Sequence, residues 1–418
     1  MKTVNTVVIG GGMAGMAAGI SSARYGMNTI LLEKYPQVGK KLFATGNGRC
    51  NLMHHHPLRY YGDSDFAASV MGDSWEEKLL DFWNGIGIPV RFDRNGRGYP
   101  WSEQAGSVVD ALQAALKREN VGIYAGRNVL NVSTSGDGSF LIQTEGGERF
   151  QSQRLIIATG GAAQPKLGGN QSAWPWLERL GHHFTPASPA LTPLITKDIK
   201  SISGLQGIRI KCRIVIKDSR TGNELHAESG ELLFSEHGIS GICVMQCARF
   251  VKSWYDHVDS DETAEACIDL ISDRGFSFSD IFQELIRRKE SFSGEDPVAL
   301  LRGFCVPRMA YAICKQAGIS MRGETNLDLS NEQVRLICRT LQAYRIGELS
   351  RQGFDKAQVM MGGICCSEIN PENLESRLCP GLHVAGELLD VDGDCGGYNL
   401  MFACMSGLKA GAYRRKHD

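Results

Sequence analysis

The feature that most constrains this chain is a glycine cluster that follows a short apolar run. Residues 4–9 are rich in valine and isoleucine, and Gly10, Gly12 and Gly15 follow in a G-x-G-x-x-G pattern. In this pattern the first glycine permits a tight turn and the second lets the backbone approach a pyrophosphate. The third lets a helix pack closely on a strand. The cluster therefore predicts a turn that binds the phosphates of a dinucleotide.

The sequence around the cluster supplies the other parts of a dinucleotide-binding unit. Met13–Tyr25 is small and apolar enough for a packed helix, and Asn28–Leu32 is a second short strand. A β–loop–α–β unit of about 30 residues results, and its helix start offers unpaired N–H groups to phosphate. Glu33 ends the second strand, where a carboxylate accepts hydrogen bonds from an adenosine ribose. This carboxylate argues against NADP but does not separate NAD from FAD.

Composition and charge exclude several classes of protein. Of the 418 residues, 42% are hydrophobic and 22% are charged, the balance of a soluble protein with two or three domains. The net charge is −1, so neither nucleic acid nor an anionic membrane is the expected partner. No apolar run approaches the ~18 residues of a spanning helix, and the start does not resemble a signal peptide. Thirteen cysteines without a CxxC pair predict reduced thiols and a cytoplasmic location.

Further elements of the first part of the chain follow from its periodicity. Residues 39–53 are rich in glycine and cations and are expected to form a loop. Helical spacing predicts helices at Ser74–Gly85 and Ser107–Glu119. Strands of a small meander are predicted at Val121–Val132, Phe140–Thr144 and Arg149–Ile157.

The middle of the chain has a different character. Prolines between Pro186 and Pro193 indicate a domain boundary. Residues 208–216 alternate strongly before a turn at Thr221-Gly222, which predicts an antiparallel sheet. Residues 260–350 are predicted to be helical. Within them Ser330 to Gln333 form a capping-box pattern, which opens a helix over Glu332–Leu341.

The glycine-rich apolar character of the start returns after Gln358, with a buried strand at Leu382–Ala385 and a final helix at Met401–Tyr413. The predicted fold class is α/β. It has one Rossmann-type nucleotide domain built from both ends of the chain, residues 1–188 with 357–418, and an insertion in the middle. Within the insertion, the ranges 189–258 with 315–356 are predicted to be β-rich and 259–314 to be helical.

Two later segments favour FAD over NAD. Leu155–Gly161 is an apolar strand that runs into a small-residue turn, and Pro380–Glu387 is a late strand that ends in Gly386-Glu387. Flavoproteins of the glutathione-reductase type resemble this layout. In them the first turn returns the chain to the cofactor, and the late carboxylate binds the ribityl chain. The resemblance implies that Glu387 contacts the ribityl hydroxyls.

A closer resemblance covers the whole chain. Lys40-Lys41 through Thr45–Asn51 is similar to the "GKK…SGxGRCN" signature of the BaiN-type and aminoacetone-oxidase-like bacterial flavoproteins. Further matches in order are Pro189–Leu194, Gly230–Phe234, Gly238–Gly241, Gln358–Val359, Gly362-Gly363, Gly386–Gly393 and Gly396–Asn399. The resemblance implies that the nucleotide domain is a Rossmann-type FAD-binding domain, that the β-rich insertion is an antiparallel β-barrel-like domain, and that its helical part is a small cap. The chain departs from the family pattern at Gly168–Trp174, where the family has Gly-Asp-Gly-Tyr. It also departs at Ser235-Glu236, where the family has Thr-His, with His237 standing one place later.

The resulting cofactor-binding assignment combines the glycine turn with the resemblance. The residues assigned are Gly10, Gly12, Met13, Ala14, Gly15, Glu33, Lys34, Lys41, Gly48, Arg49, Cys50, Asn51, Val129, Thr159, Gly160, Gly161, Gly386, Glu387, Asp392, Gly396, Gly397, Tyr398 and Asn399. Backbone N–H groups at Gly396–Asn399 are expected to stabilise negative charge at N1 and O2 of the reduced ring. Arg49 pairs with phosphate, lies near the ring, or is a surface charge.

Catalytic and metal-binding candidates are few. Tyr398 is the candidate catalytic proton donor, with packing against the ring or the barrel as the favoured alternative. Cys50 and Cys395 form a conceivable redox pair, but buried packing is favoured. The aspartates of 390–394 resemble a calcium loop, which is rejected because Cys395 and Met401 occupy its sixth and twelfth positions. The run His54–His56 is expected to be a solvated loop, and we predict no metal.

The predicted function is a flavin-dependent oxidoreductase that acts on a small organic substrate. In one mechanism, reduced FAD passes a hydride to an electron-poor double bond such as an enone. In the other, FAD oxidises an amine or alcohol and oxygen reoxidises it. The sequence contains no second GxGxxG, so NADH or NADPH would bind only transiently as reductant. We favour the reductase, with a tRNA-modifying flavoprotein and a non-catalytic flavin-binding protein as remaining alternatives. The substrate and the oligomeric state stay open.

Overall fold

A computed structural model of the chain describes residues 1–254, 263–321 and 325–412. In chain order its strands are β1 Lys2–Ile9, β2 Thr29–Glu33, β3 Met53–His54, β4 Tyr60–Gly62, β5 Val90–Phe92, β6 Arg97–Pro100, β7 Gly122–Ala125, β8 Val129–Thr134, β9 Phe140–Thr144, β10 Arg149–Ile157, β11 Phe184–Ala190, β12 Leu194–Thr196, β13 Arg209–Asp218, β14 Glu224–Phe234, β15 Gly238–Ser240, β16 Ala264–Asp269, β17 Tyr344–Arg351, β18 Val359–Ile364, β19 Leu382–Val384 and β20 Val391–Gly393.

The α-helices are α1 Met13–Arg24, α2 Ser64–Met71, α3 Trp75–Gly85, α4 Ala105–Arg118, α5 Trp174–Arg179, α6 Ile199–Ile202, α7 Ile242–Cys247, α8 Phe278–Ser291, α9 Pro307–Gln316, α10 Asn331–Gln342 and α11 Tyr398–Ala412. Turns of 3-10 helix occur at Lys40–Gly48, Pro165–Leu167, Ala248–Phe250, Ser272–Arg274, Pro297–Leu301, Asn326–Asp328, Cys366–Glu368 and Gly386–Leu388. Within the described ranges, every helix is too short or too polar to span a bilayer.

The chain forms two units, and the first consists of Met1–Ser188 with the C-terminal segment that begins at Gln358. Its main sheet has the order β7-β2-β1-β10-β9-β8, with β19 also paired to β10. β7, β2, β1, β10 and β19 are mutually parallel, whereas β8 and β9 add an antiparallel edge. The apolar ends of β1 and β10 are fully buried, as parallel strands covered on both faces require. The Rossmann-type prediction is confirmed.

Helices α1 and α11 join the start and the end of this unit through glycines. A Cβ added to Gly407 would lie 2.2 Å from the carbonyl oxygen of Ala14, and one added to Gly411 would lie 2.4 Å from that of Ala18. Only glycine permits this approach, because any side chain would overlap the backbone of α1. The two helices therefore pack backbone against backbone.

The second unit, Pro189–Ala357, contains a closed barrel of order β12-β15-β14-β13-β16-β17. Every neighbouring pair in it is antiparallel. The turn between β13 and β14 is fixed by Asp218, whose Oδ1 accepts a hydrogen bond of 2.7 Å from the N–H of Thr221. The predicted antiparallel barrel is confirmed.

Helices α8, α9 and α10 pack together around a core that they share with the barrel strands. α10 begins at the capping box that the sequence predicts. Gln333 Oε1 accepts from the N–H of Ser330 at 2.7 Å, and Ser330 Oγ accepts from the N–H of Gln333 at 3.1 Å.

The structure corrects the prediction that residues 260–350 are helical. β16 and β17 lie within that stretch and are barrel strands. The predicted cap 259–314 therefore contains the strand β16, while α10 falls in the segment 315–356 that was predicted to be β-rich. β16 has only six residues, too few for its alternation to stand out between charged helices. Residues 259–262 of the predicted cap lie outside the described residues.

Other boundaries differ for identifiable reasons. The expected loop over residues 39–53 contains the 3-10 turns of Lys40–Gly48, broken where Gly46 and Asn47 have positive φ. The predicted strand Val121–Val132 is divided into β7 and β8 by a turn at Gly126, whose φ is 71°. α11 begins at Tyr398 rather than at Met401, and the predicted end at Tyr413 lies outside the described residues.

Candidate functional site

The glycine turn between β1 and α1 has the geometry that its sequence predicts. Gly10 has a φ of 108°, and a Cβ on Gly15 would lie 1.8 Å from the carbonyl oxygen of Gly10. Around Gly12, by contrast, no described heavy atom lies within 4 Å of an added Cβ. Gly12 is the N-cap of α1 and no described side chain caps that helix. The first amides of α1, which include those of Met13 and Ala14, therefore have no capping side chain among the described residues and are free to bind an anion.

Glu33 lies beside this turn and stabilises it. Its Oε2 accepts a hydrogen bond of 2.7 Å from the N–H of Gly11, and its Oε1 accepts one of 2.8 Å from the N–H of Tyr35. The next side chain, Lys34, turns to the carbonyl oxygen of Gly168, which its Nζ contacts at 2.8 Å. The carboxylate is thus fixed at the carboxyl edge of the sheet.

A second carboxylate, Glu387, lies near the start of α1. Gly386 has a φ of 78°, and a Cβ added to it would lie 2.9 Å from Ala14 Cβ. Glu387 Oε2 lies 2.9 Å from Lys41 Nζ, and its Oε1 accepts a hydrogen bond of 2.9 Å from the N–H of Met360. Three separate parts of the sequence therefore converge on this carboxylate.

The turn after β10 lies beside the carboxylate of Glu387. A Cβ added to Gly161 would lie 3.2 Å from Glu387 Cδ, and one added to Gly160 would lie 3.8 Å from Glu387 Oε2. Thr159 Oγ1 is buried without a hydrogen-bond partner among the described residues. Val129 is buried at the start of β8, where it pairs with Thr144.

In the segment Gly48–Asn51, the side chain of Arg49 is exposed and that of Asn51 is buried. The guanidinium of Arg49 lies 4.7 Å from the centre of the Tyr99 ring and 3.6 Å from Glu103, on the surface. Cys50 is fully buried, and burial raises the pKa of its thiol to about 11. Asn51 is 9% exposed, and its Oδ1 has no hydrogen-bond partner in the described part of the chain.

The loop that leads into α11 is held by Asn399. Asn399 Oδ1 accepts from the N–H of Gly393 at 2.8 Å, and its Nδ2 donates to the carbonyl oxygen of the same residue at 2.8 Å. Asp392 is buried in β20. Gly396 and Gly397 have φ values of 126° and 110°, so both favour glycine.

Tyr398 is buried and its hydroxyl bonds within the first unit. The hydroxyl donates to the carbonyl oxygen of Pro57 at 3.1 Å and lies 3.3 Å from His54 Nδ1. Its ring stacks on the His54 ring with centroids 4.7 Å apart, and burial raises the pKa of its hydroxyl. These contacts favour the packing role over the proton-donor role.

The expectation of a solvated loop is wrong for His54. His54 is 7% exposed, whereas His55 and His56 are exposed. Burial lowers the pKa of His54 to about 4, and the nearby His56 and Arg97 lower it further. Among the described residues there is no group of three side chains suited to bind a metal.

The sequence did not predict that His54, Arg97 and Met360 lie in the candidate site. Met360 acts through its backbone N–H, which leaves no signal in the side-chain pattern. His54 and Arg97 are partners in the short pair β3–β6, and the two-residue strand β3 gives no periodicity.

Cys50 and Cys395, the conceivable redox pair, are both free thiols, and burial raises the pKa of each. A raised pKa disfavours the reactive thiolate, which supports the packing interpretation.

His237 is the histidine that stands one place after the family's Thr-His position. It lies in the second unit, and its side chain is 71% exposed.

Residues 4–413 match the family model of the HI0933-like protein Rossmann domain. The chain is 32% identical to the 3-dehydro-bile acid delta(4,6)-reductase of Clostridium scindens, over 97% of each chain. It is 24% identical to the ribosomal RNA dihydrouridine synthase of Escherichia coli, over 97% of this chain and 96% of that one. A solved flavocytochrome c3 fumarate reductase aligns with a TM-score of 0.46 and 14% identity, over 98% of this chain and 78% of that chain. A likeness this distant says nothing of the activity.

Proposed function

The chain belongs to the HI0933-like Rossmann family and is an oxidoreductase, and on that premise we propose an FAD-dependent reductase fed by NADH or NADPH. Its substrate is a small organic molecule with a carbon–carbon double bond activated by a carbonyl. The observation that carries this proposal is the 32% identity, over 97% of both chains, to a reductase of 3-dehydro-bile acids.

The name of the second relative implies reduction of the same type of bond. A delta(4,6)-reductase of a 3-oxo compound and a dihydrouridine synthase both add hydrogen across a double bond conjugated to a carbonyl. Bound FAD supplies the hydride for such a step, and the protein supplies binding, orientation and electrostatics. The reaction class is therefore common to relatives whose substrates differ greatly in size.

The residues of the first unit fit FAD. The open space at Gly12 and the uncapped start of α1 suit a pyrophosphate. Glu33 accepts two backbone hydrogen bonds, and a carboxylate has about four acceptor sites. It thus keeps capacity for ribose hydroxyls. Thr159 Oγ1 and Asn51 Oδ1 are buried atoms whose hydrogen-bonding capacity a bound cofactor would use.

Glu387 is positioned to bind the ribityl hydroxyls in this proposal. Its carboxylate is held by Lys41 and by the N–H of Met360. These contacts leave acceptor sites for hydroxyl donors next to the first turn of α1. Gly160 and Gly161 keep the approach to the carboxylate free of side chains.

The test begins with the absorbance spectrum of the purified protein, in which bound flavin is expected. The protein is then mixed anaerobically with NADH or NADPH, and flavin bleaching is followed. We expect bleaching with at least one of them, and reoxidation by cyclic enones and 3-oxo-4-ene steroid acids. No bleaching with either nucleotide, together with oxygen-dependent turnover of amines or alcohols, would show that the enzyme is an oxidase instead.

The 24% identity over almost the whole chain gives ribosomal RNA as a second candidate substrate. RNA-binding proteins neutralise backbone phosphates with basic side chains, and the net charge of −1 gives no general support for that. We therefore place the small enone first. Incubation of the reduced enzyme with unmodified ribosomal RNA, followed by mass spectrometry of its nucleosides, distinguishes the two. Dihydrouridine formation would reverse the order.

A further inference from the structure

Arg97 is a half-buried cation whose guanidinium pairs with no acidic side chain of the described residues. Arg49, Arg59 and Arg91 each lie within 4.0 Å of a carboxylate, but within the described ranges no carboxylate oxygen is that close to the guanidinium of Arg97. A Cβ added to Gly396 would lie 3.5 Å from Arg97 Nε. The charge of Arg97 is therefore directed at the loop that precedes α11.

That loop carries further unused polar groups. In the part of the chain that the structure describes, the N–H groups of Gly396 and Gly397 donate no hydrogen bond. A Cβ on Gly397 would lie 2.8 Å from Asn51 Oδ1, the buried oxygen without a partner described above. Two backbone donors, a cation and a buried acceptor thus lie together at the start of a helix of 15 residues.

Neighbouring titratable groups do not contact the guanidinium of Arg97. The buried carboxylate of Asp394, in the same loop, lies 3.5 Å from Arg59 and accepts a hydrogen bond of 2.9 Å from the hydroxyl of Tyr61. His54 is neutral at physiological pH because its pKa is lowered to about 4, and Tyr398 is neutral because burial raises its pKa. Asp93 contacts the backbone N–H of Arg97 through its Oδ1, at 3.0 Å, rather than the guanidinium. The start of α11 adds the positive end of the helix dipole. The region is suited to a planar group that has an N–H donor and that becomes negatively charged.

Resting on the proposed function, we propose that Arg97 is the charge partner of the flavin ring in its reduced state. With FAD bound, a hydride from NADH or NADPH would carry one proton and two electrons to the ring and leave it negatively charged. Arg97 and the N–H groups of Gly396 and Gly397 would stabilise that charge, and Asn51 Oδ1 would accept a hydrogen bond from a ring N–H. Arg97 thereby favours the reduced cofactor over the oxidised one.

The primary variant is Arg97→Gln, which removes the charge but keeps a polar side chain. Arg94→Gln is the matched control, because Arg94 is an exposed arginine of the same β5–β6 hairpin. The flavin midpoint potential is measured by equilibration with a reference dye. In Arg97→Gln we expect the equilibrium constant for flavin reduction to fall about tenfold. For a two-electron couple this lowers the midpoint potential by about 30 mV. Arg94→Gln and Arg97→Lys are expected to stay close to the parent value.

A variant that holds FAD weakly is tested by titration. The Kd values of oxidised and reduced FAD are measured separately with the apoprotein, since their ratio reports the same equilibrium. We expect the ratio to shift about tenfold against the reduced form in Arg97→Gln. An unchanged potential and an unchanged Kd ratio would overturn the role of Arg97. A parent protein that binds no FAD would instead overturn the proposed function.

Discussion

At the scale of single residues, Glu387 shows how the candidate site is organised. Its carboxylate is held by Lys41 and by the N–H of Met360, and it lies beside the glycine turn that follows β10. None of these neighbours is close to it in sequence. A charge held this way is positioned before any ligand arrives, which lowers the cost of ordering it on binding.

The ion pair of Lys41 and Glu387 leads to the first prediction. Lys41→Met removes one side of a partly buried charge pair and releases the carboxylate from its position. We expect the Kd of FAD to rise about tenfold, equal to a loss of roughly 1.4 kcal/mol. The measurement is titration of the apoprotein with FAD, followed by flavin fluorescence.

Lys40→Met is the matched control. Lys40 Nζ lies 3.6 Å from the centre of the Tyr35 ring and donates to the carbonyl oxygen of Lys166, without contact to Glu387. Its affinity for FAD is expected to stay within twofold of the parent. Equal losses of FAD affinity in both variants would show that the two lysines act through their positive charge alone, and not through the contact of Lys41 with Glu387.

At this scale the sequence predicts the location of a residue when that location follows from the end of a strand. Glu33 ends β2 and Glu387 follows β19 by three residues, and both lie beside the start of α1. Their contacts with FAD remain predictions. The sequence could not predict the buried position of His54, because burial of that ring depends on its stacking against Tyr398, which is far away in sequence. Nor could it predict that Arg49 pairs with Glu103 on the surface, or that no carboxylate of the described residues pairs with the guanidinium of Arg97.

At the scale of elements, two glycines of the turn between β1 and α1 have different roles. Gly15 serves packing, since its Cβ would overlap the Gly10 carbonyl oxygen at 1.8 Å. Gly12 leaves space, and its φ of −80° suits any residue. The same substitution should therefore have different consequences at the two positions.

Gly15→Ala is expected to lower the free energy of unfolding by about 3 kcal/mol, because the backbone of β1 and α1 must separate. Gly12→Ala is expected to change the stability of the apoprotein by a few tenths of a kcal/mol. Its Kd for FAD should rise about tenfold or more. Thermal unfolding of the apoproteins and FAD titration check both. A stable Gly15→Ala protein, or normal FAD affinity in Gly12→Ala, would contradict this division.

The elements that the sequence predicted well are those with a local cause. α10 begins where Ser330 and Gln333 cap it, and the β13–β14 hairpin follows from alternation and the turn around Thr221. The elements that it missed depend on distant partners. β16 is a strand because β13 and β17 flank it in the barrel, and the two residues of β3 are a strand because β6 pairs with them.

At the scale of the whole molecule, acid sensitivity follows from His54. Its pKa is lowered to about 4 in the folded protein from 6.5, so the unfolded chain binds more protons between these values. Its contribution to stability is complete above pH 6.5 and is lost as the pH falls through the folded pKa. Arg97, Arg59 and His56 favour the neutral ring, whereas Asp93 opposes them.

We therefore expect the melting temperature of the apoprotein to decrease less steeply between pH 6.5 and 4.5 in His54→Asn than in the parent. His237→Asn, at an exposed position, serves as control and should follow the parent. The measurement is a series of thermal unfolding curves across this range. Parallel curves for all three proteins would exclude His54 as a source of the acid sensitivity.

The packing of α1 against α11 through Gly407 and Gly411 has a consequence for biosynthesis. α1 is translated long before its helical partner α11, because the whole segment Pro189–Ala357 lies between them in the sequence. That segment is continuous and can fold while synthesis proceeds. The unit that contains the glycine turn is therefore begun before the inserted unit and completed after it.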